Sequence, residues 1–145
     1  MSTIRREIAI AAPAVTVFEY FIDPDKMTQW MGVRANLDAR PGGDFRVDIT
    51  GGDVARGTYL AVERPSRVVF TWGWEGDGNP VPPGSSEVEV TLREVGGRTH
   101  VSIEHRGLPD GDEGHADGWD HYLERLTSAG GGADPGPDPW VGART

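Results

Sequence analysis

The stretch DEGHADGWDHYLERLTS, residues 112–128, decides the fold. Trp119, Tyr122, Leu123 and Leu126 fall at i, i+3, i+4 and i+7, which is one face of a helix. It is the longest helical pattern in the chain; almost everything before it reads as strand and turn. One helix with this much aromatic bulk on a single face needs a sheet to bury it. The expectation is an α+β chain in which a curved antiparallel sheet holds this helix, with room for a ligand cavity between them.

Working back from the helix, residues 101–105 place Val101, Ile103 and His105 on one parity and Ser102 and Glu104 on the other. Gly96-Gly97 is a hairpin turn, and Val88, Val90 and Leu92 alternate with charged residues before it. Residues 76–85 hold three prolines and three glycines and read as a loop, which could serve as a lid. Residues 68–74 carry Phe70, Trp72 and Trp74 on one face. Strands are also expected at 57–63, around Phe45, Val47 and Ile49, and around Val33, Ala35 and Leu37, separated by Gly- and Pro-containing turns. Ile4, Ile8 and Ile10 mark a first strand. Two short helices follow it, one starting near Pro13 and one with Asp23 as N-cap and Pro24 at its first position. The order is one strand, two helices, six strands and the long helix, about seven strands in all. Residues 130–145 form a Gly- and Pro-rich tail in which Trp140 is the exception to the polar character.

Composition narrows the function classes. At 145 residues the chain makes one domain with a sizeable core. It has no cysteine, no apolar run long enough to span a membrane, and a polar N-terminus unlike a signal peptide, so a cytoplasmic location is expected. The net charge of −9 argues against nucleic acid and anionic membrane surfaces.

Several stretches together resemble the helix-grip, START-like (SRPBCC) superfamily, and more narrowly its bacterial single-domain branch related to the C-terminal domain of the heat-shock-protein ATPase activators. They are Ala12-Pro13 with Val17-Phe18, Asp23-Pro24 with Gln29-Trp30, Arg40-Pro41-Gly42-Gly43 with Phe45, and Gly57-Thr58-Tyr59. Pro65 with residues 68–72, residues 99–105, and Gly118-Trp119 with Leu123 and Leu126 complete the set. The resemblance spans most of residues 4–128 and suggests a START-like domain over 1–129 followed by the tail. It implies a hydrophobic cavity between sheet and long helix and a small apolar or amphipathic ligand, without implying a common activity. The chaperone-activating role is not expected, since those co-chaperones resemble this chain only in their C-terminal part.

The candidate ligand-contacting residues are the aromatics Trp30, Trp72 and Trp119, the inward strand residues Phe45, Val47, Phe70, Val90 and Ile103, and Tyr122 and Leu123 of the helix; Trp74, at the strand's end, could also line the pocket. Each has a plainer reading as core filling. His105 shares the inward parity and could orient a polar group or act as general base with Tyr122; the plainer reading is a core histidine bonded to a neighbour. His115 lies one turn before Trp119, so both histidines could approach one end of the cavity. The four histidines lack zinc spacing, and no cofactor motif is present. Asp110, Asp112, Glu113 and Asp117 suit the positive end of the helix dipole. The apolar inner face favours a non-catalytic carrier or sensor of a small hydrophobic, lipid-like or amphipathic molecule. The alternatives are a cyclase- or hydratase-type enzyme using a cavity histidine, and an interaction domain with a filled core. Either a monomer or a homodimer is expected.

Overall fold

The structure, a computed structural model, describes residues 2–112 and 114–142. Its elements are β1 (Ser2–Ile10), α1 (Ala14–Glu19), α2 (Pro24–Met27), β2 (Arg34–Leu37), β3 (Asp44–Asp48), β4 (Val54–Glu63), β5 (Arg67–Trp72), β6 (Ser86–Val95), β7 (Arg98–Leu108) and α3 (Gly114–Gly130). The seven strands form one sheet in the order β1-β7-β6-β5-β4-β3-β2, antiparallel throughout. This is the α+β helix-grip architecture that the long amphipathic helix required.

Turn chemistry sets the register. Gly96 and Gly97 both take positive φ, 61° and 79°, which a two-residue hairpin of matching twist demands. That turn pairs Val95 with Arg98 and so brings Val88, Val90 and Leu92 opposite His105, Ile103 and Val101. The side-chain period of two then commits every second residue to the core. Phe45, Val47, Phe70, Trp72, Val88, Val90, Val101 and Ile103, the expected inner face, are all buried.

The outer face of the sheet is charged. Arg67 bonds Glu63 and Glu89, and Arg106 bonds Glu87, Glu89 and Glu104, linking neighbouring strands in one chain of ion pairs.

The short helices are pinned to the body through polar tips on aromatic side chains. Asp23 caps α2 by accepting from the Asp25 and Lys26 amides, as its position before Pro24 predicts. Trp30 Nε1 donates to Tyr20 O at 3.0 Å, the Tyr20 hydroxyl to Ala129 O at 2.9 Å, and the Tyr59 hydroxyl to Phe21 O at 2.8 Å. Burial, with a smaller push from Asp38, raises the pKa of the Tyr59 phenol. Tyr59 is thus the inward residue of its pair, and Leu60 faces solvent.

Boundaries shift in three places. β4 begins at Val54, before Gly57, because Ala55 is fully buried opposite Val47. α3 runs from Gly114 to Gly130, two residues later than its apolar period indicates at each end. Regular pairing of β5 stops at Trp72, and Trp74 is held by an isolated bridge to Ala55.

The loop over residues 76–85 is pinned to β5. Trp74 N donates to Val81 O at 2.8 Å, and Val81 is buried. A side chain on Gly73 would stand 1.8 Å from Pro82 O, so the loop backbone lies flush against the strand. No residue of this loop lines the cavity described below.

Candidate functional site

A cavity of about 250 Å³ opens at the N-terminal end of α3. Its walls come from Trp72 and Trp74 at the end of β5, Ile49, Thr50 and Asp53 in the turn between β3 and β4, and Met31 after α2. Asp112, Gly114, His115, Gly118, Trp119 and Tyr122 form the helix side, and Trp140 of the tail adds a further wall. Four of the five tryptophans therefore meet at one site.

Behind the wall, His105 is fully buried within a chain of hydrogen bonds. Trp119 Nε1, which can only donate, gives its proton to His105 Nδ1 at 2.9 Å. The remaining proton of the ring must sit on Nε2, which lies 2.8 Å from Ser86 Oγ; that hydroxyl in turn donates to Trp72 O at 2.8 Å. Burial, reinforced by the neighbouring His115, pushes the His105 pKa down to about 3. The ring is neutral at physiological pH, and both its nitrogens are engaged.

His115 stands 5.4 Å from His105, ring to ring, at 87°. Trp74 Nε1 donates to His115 Nε2 at 2.9 Å, and His115 Nδ1 donates to Asp112 Oδ2 at 2.7 Å. Asp112 Oδ1 accepts the His115 amide at 3.1 Å, closing the first turn of α3. The two histidines do converge on one end of the cavity, but only His115 lines it.

Trp72 differs from its neighbours. Trp30, Trp74 and Trp119 all place their indole N–H on an acceptor. Trp72 Nε1 is buried and, among the described residues, has no hydrogen-bond partner. A buried donor left unmade costs about 1–3 kcal/mol.

The tail folds back along α3. Asp138 Oδ2 accepts from the Tyr122 hydroxyl at 2.7 Å, and its Oδ1 from His121 Nε2 at 2.8 Å and the Trp140 amide at 2.9 Å. Burial alone would raise the Asp138 pKa, but these hydrogen bonds outweigh it and hold the carboxyl below its ordinary range. Trp140 stacks on His121 at 3.9 Å between centroids and 5° between planes. Gly142 N reaches Thr50 O at 3.0 Å, so the strap crosses from α3 to the turn between β3 and β4.

Of the residues expected to contact a ligand, Trp72, Trp119 and Tyr122 line the cavity. Trp30, Phe45, Val47, Phe70, Val90, Ile103, His105 and Leu123 are buried in the core beyond it. Trp74 and His115, which the sequence also brought toward the cavity, line it too, whereas Trp140 was not expected there. Trp74 shares the parity of Phe70 and Trp72, and Trp140 is the large apolar residue of a polar tail, so each left a trace in the sequence. Thr50 and Asp53 left none, since turn residues carry no periodicity. Among the described residues no cluster of His, Cys, Asp or Glu could hold a metal ion, and Glu113 of the acidic group lies outside them. No helix among those residues is long and apolar enough to cross a membrane.

Comparison with known proteins agrees with this architecture. An AHSA1-like protein of Rhizobium etli, solved in solution, is 44% identical, with 99% of this chain and 91% of that one covered and a TM-score of 0.75. The Aha1 dimer of Colwellia psychrerythraea shares the fold at 16% identity, covering 95% of this chain and all of that one, with a TM-score of 0.74. An uncharacterised protein of Schizosaccharomyces pombe is 28% identical over 126 residues, 83% of this chain; the chain spans only 34% of that curated relative's length. The model of one family matches residues 11–131, and the chain belongs to it: the Activator of Hsp90 ATPase homolog 1-like family, within the START-like helix-grip superfamily.

Proposed function

We propose that this protein is a non-catalytic carrier or sensor of a small amphipathic molecule, held in the cavity at the N-terminal end of α3. The observation that carries the reading is the tryptophan-walled cavity with the unpartnered buried N–H of Trp72 among its lining residues. A filled core has no reason to leave such a donor unmade. Nε1 is closed off from the cavity in this structure, so a ligand that stacks on the indoles and turns Trp72 toward an acceptor oxygen would remove the deficit.

The arrangement of the histidines favours binding over cyclase or hydratase chemistry. His105 has a lone pair only on Nδ1, which Trp119 occupies, and His115 Nε2 already accepts from Trp74. A general base needs a free lone pair within reach of the proton it abstracts.

Native mass spectrometry of protein purified from its own host, beside a denatured control, tests the reading. The expected result is an added mass of a few hundred daltons or less that is lost on denaturation. An apo spectrum, together with no tryptophan-fluorescence response to a panel of fatty acids, flavonoids and polyketides, would sink it.

A further inference from the structure

We propose that His115 and Trp74 form a pH-sensitive latch on the wall of the cavity: a proton taken up at His115 Nε2 breaks the bond from Trp74 Nε1 and frees the indole. The latch goes beyond the carrier reading and does not need the cavity to be occupied.

Two indole-to-imidazole bonds lie close together at this end of the cavity. Trp119 Nε1 donates to His105 Nδ1 and Trp74 Nε1 to His115 Nε2, each at 2.9 Å. An indole nitrogen can only donate, so each bond exists only while the accepting nitrogen carries no proton. At 2.9 Å there is room for one hydrogen between two nitrogens, not for two. The two pairs differ in their access to water. His105 is fully buried, and burial holds its pKa down to about 3. The His115 side chain is 13% exposed and lines the cavity, so water reaches it.

A partner for protonated His115 is already in place. Its Nδ1 donates to Asp112 Oδ2 at 2.7 Å, and the other oxygen of that carboxylate accepts the His115 amide at 3.1 Å. Charge on the ring strengthens the bond from Nδ1. The imidazole therefore stays on Asp112, and the indole is the group that moves. Among the described residues, the other ionisable groups facing this end of the cavity are His105 of β7, which is neutral, and Asp53 in the turn between β3 and β4. Asp110 and Asp117 stand in the same stretch of chain as His115, and Glu75, next to Trp74, is paired with Arg46 and Arg56.

Trp74 is free to respond. Its backbone is fixed by the bridge to Ala55 and the bond to Val81 O, whereas its indole makes one hydrogen bond, to His115. The ring is half-buried and rests edge-on against Trp72, 5.4 Å away at 85°. Rotation about its side-chain bonds takes one tryptophan out of the cavity wall without unpairing a strand.

A titration of the full chain from about pH 8 to about pH 4.5, followed by two-dimensional NMR, tests the latch. The imidazole carbons of His115 report its protonation. Exchange of the indole N–H protons with water reports the bonds at Trp74 and Trp119. As His115 takes up its proton, exchange at Trp74 is expected to rise at least about tenfold relative to Trp119 in the same spectrum. Trp119 serves as the internal reference because His105 stays neutral over that range. His115→Gln places a non-titrating oxygen near the position of Nε2 and is expected to remove the step. A steady ratio of Trp74 to Trp119 exchange while His115 titrates, a His115 ring that does not titrate in this range, or a step that survives in His115→Gln overturns the latch.

Discussion

At the scale of single residues, His105 works as a crosslink. It ties β7 to α3 through Trp119 and to β6 through Ser86, using its ring as one acceptor and one donor. The linkage has a definite pH sign. The folded ring has a pKa of about 3 against an ordinary 6.5, so below pH 6.5 the unfolded chain takes up a proton that the folded chain refuses. Its contribution to stability is complete above pH 6.5 and is lost as pH falls toward the folded value, with a slope of up to about 1.4 kcal/mol per pH unit. His105→Phe removes that titration and leaves the Trp119 N–H without its acceptor. The variant should be less stable than the parent by about 1–3 kcal/mol at pH 7.5. Urea unfolding at pH 4.5 should show a smaller gap, because only the parent loses the His105 contribution on the way down. An equal gap at both pH values would mean the ring is not held neutral.

At the scale of elements, two irregular segments behave differently. The loop over residues 76–85 is part of the wall of β5. Gly73→Ala would force a side chain into Pro82 O and should cost about 1–3 kcal/mol in chemical denaturation, with the loop displaced. The tail is fastened to α3 at fewer points, and Asp138 gathers most of them. Asp138→Ala should leave the melting transition within about 2 kcal/mol of the parent, since the sheet and α3 are untouched. It should also speed amide exchange at Trp140 and Gly142 at least about tenfold, because local opening sets that rate. Acid should act in the same direction. The depressed Asp138 carboxyl stabilises the docked strap above its ordinary pKa, and that stabilisation is lost as pH falls through the folded value.

At the scale of the whole molecule, most of the fold was legible in the sequence, and the site much less so. Val88, Val90, Val101 and Ile103 declare their face because each strand has one side in the core and one in solvent, and a period of two records that difference. Trp119 and Leu126 do the same at a period of 3.6. Periodicity reports which side is buried. It does not report whether a buried residue fills space or borders a void, so Phe70 and Trp72 looked alike although only Trp72 reaches the cavity. The cavity also forms where regular structure ends, at Trp74 beyond the last β5 pair, at Thr50 and Asp53 in a turn, and at Trp140 in the tail. Of these only Trp74 continues the period of a strand; the turn and tail positions have none to read. The charged outer face is a further property of the molecule as a whole. Arg67 and Arg106, set among glutamates, tie several neighbouring strands together on the exposed side of the sheet.

The strap that ends beside Thr50 separates two tasks along the chain. Folding is encoded in the sheet and α3, while one wall of the cavity is written in a dozen residues that belong to neither. Substitutions in that segment can retune what the cavity accepts without drawing on the stability of the scaffold. On the carrier reading proposed above, exchanging the strap between relatives would transplant selectivity, and the same modularity would give natural variation a place to act at little structural risk.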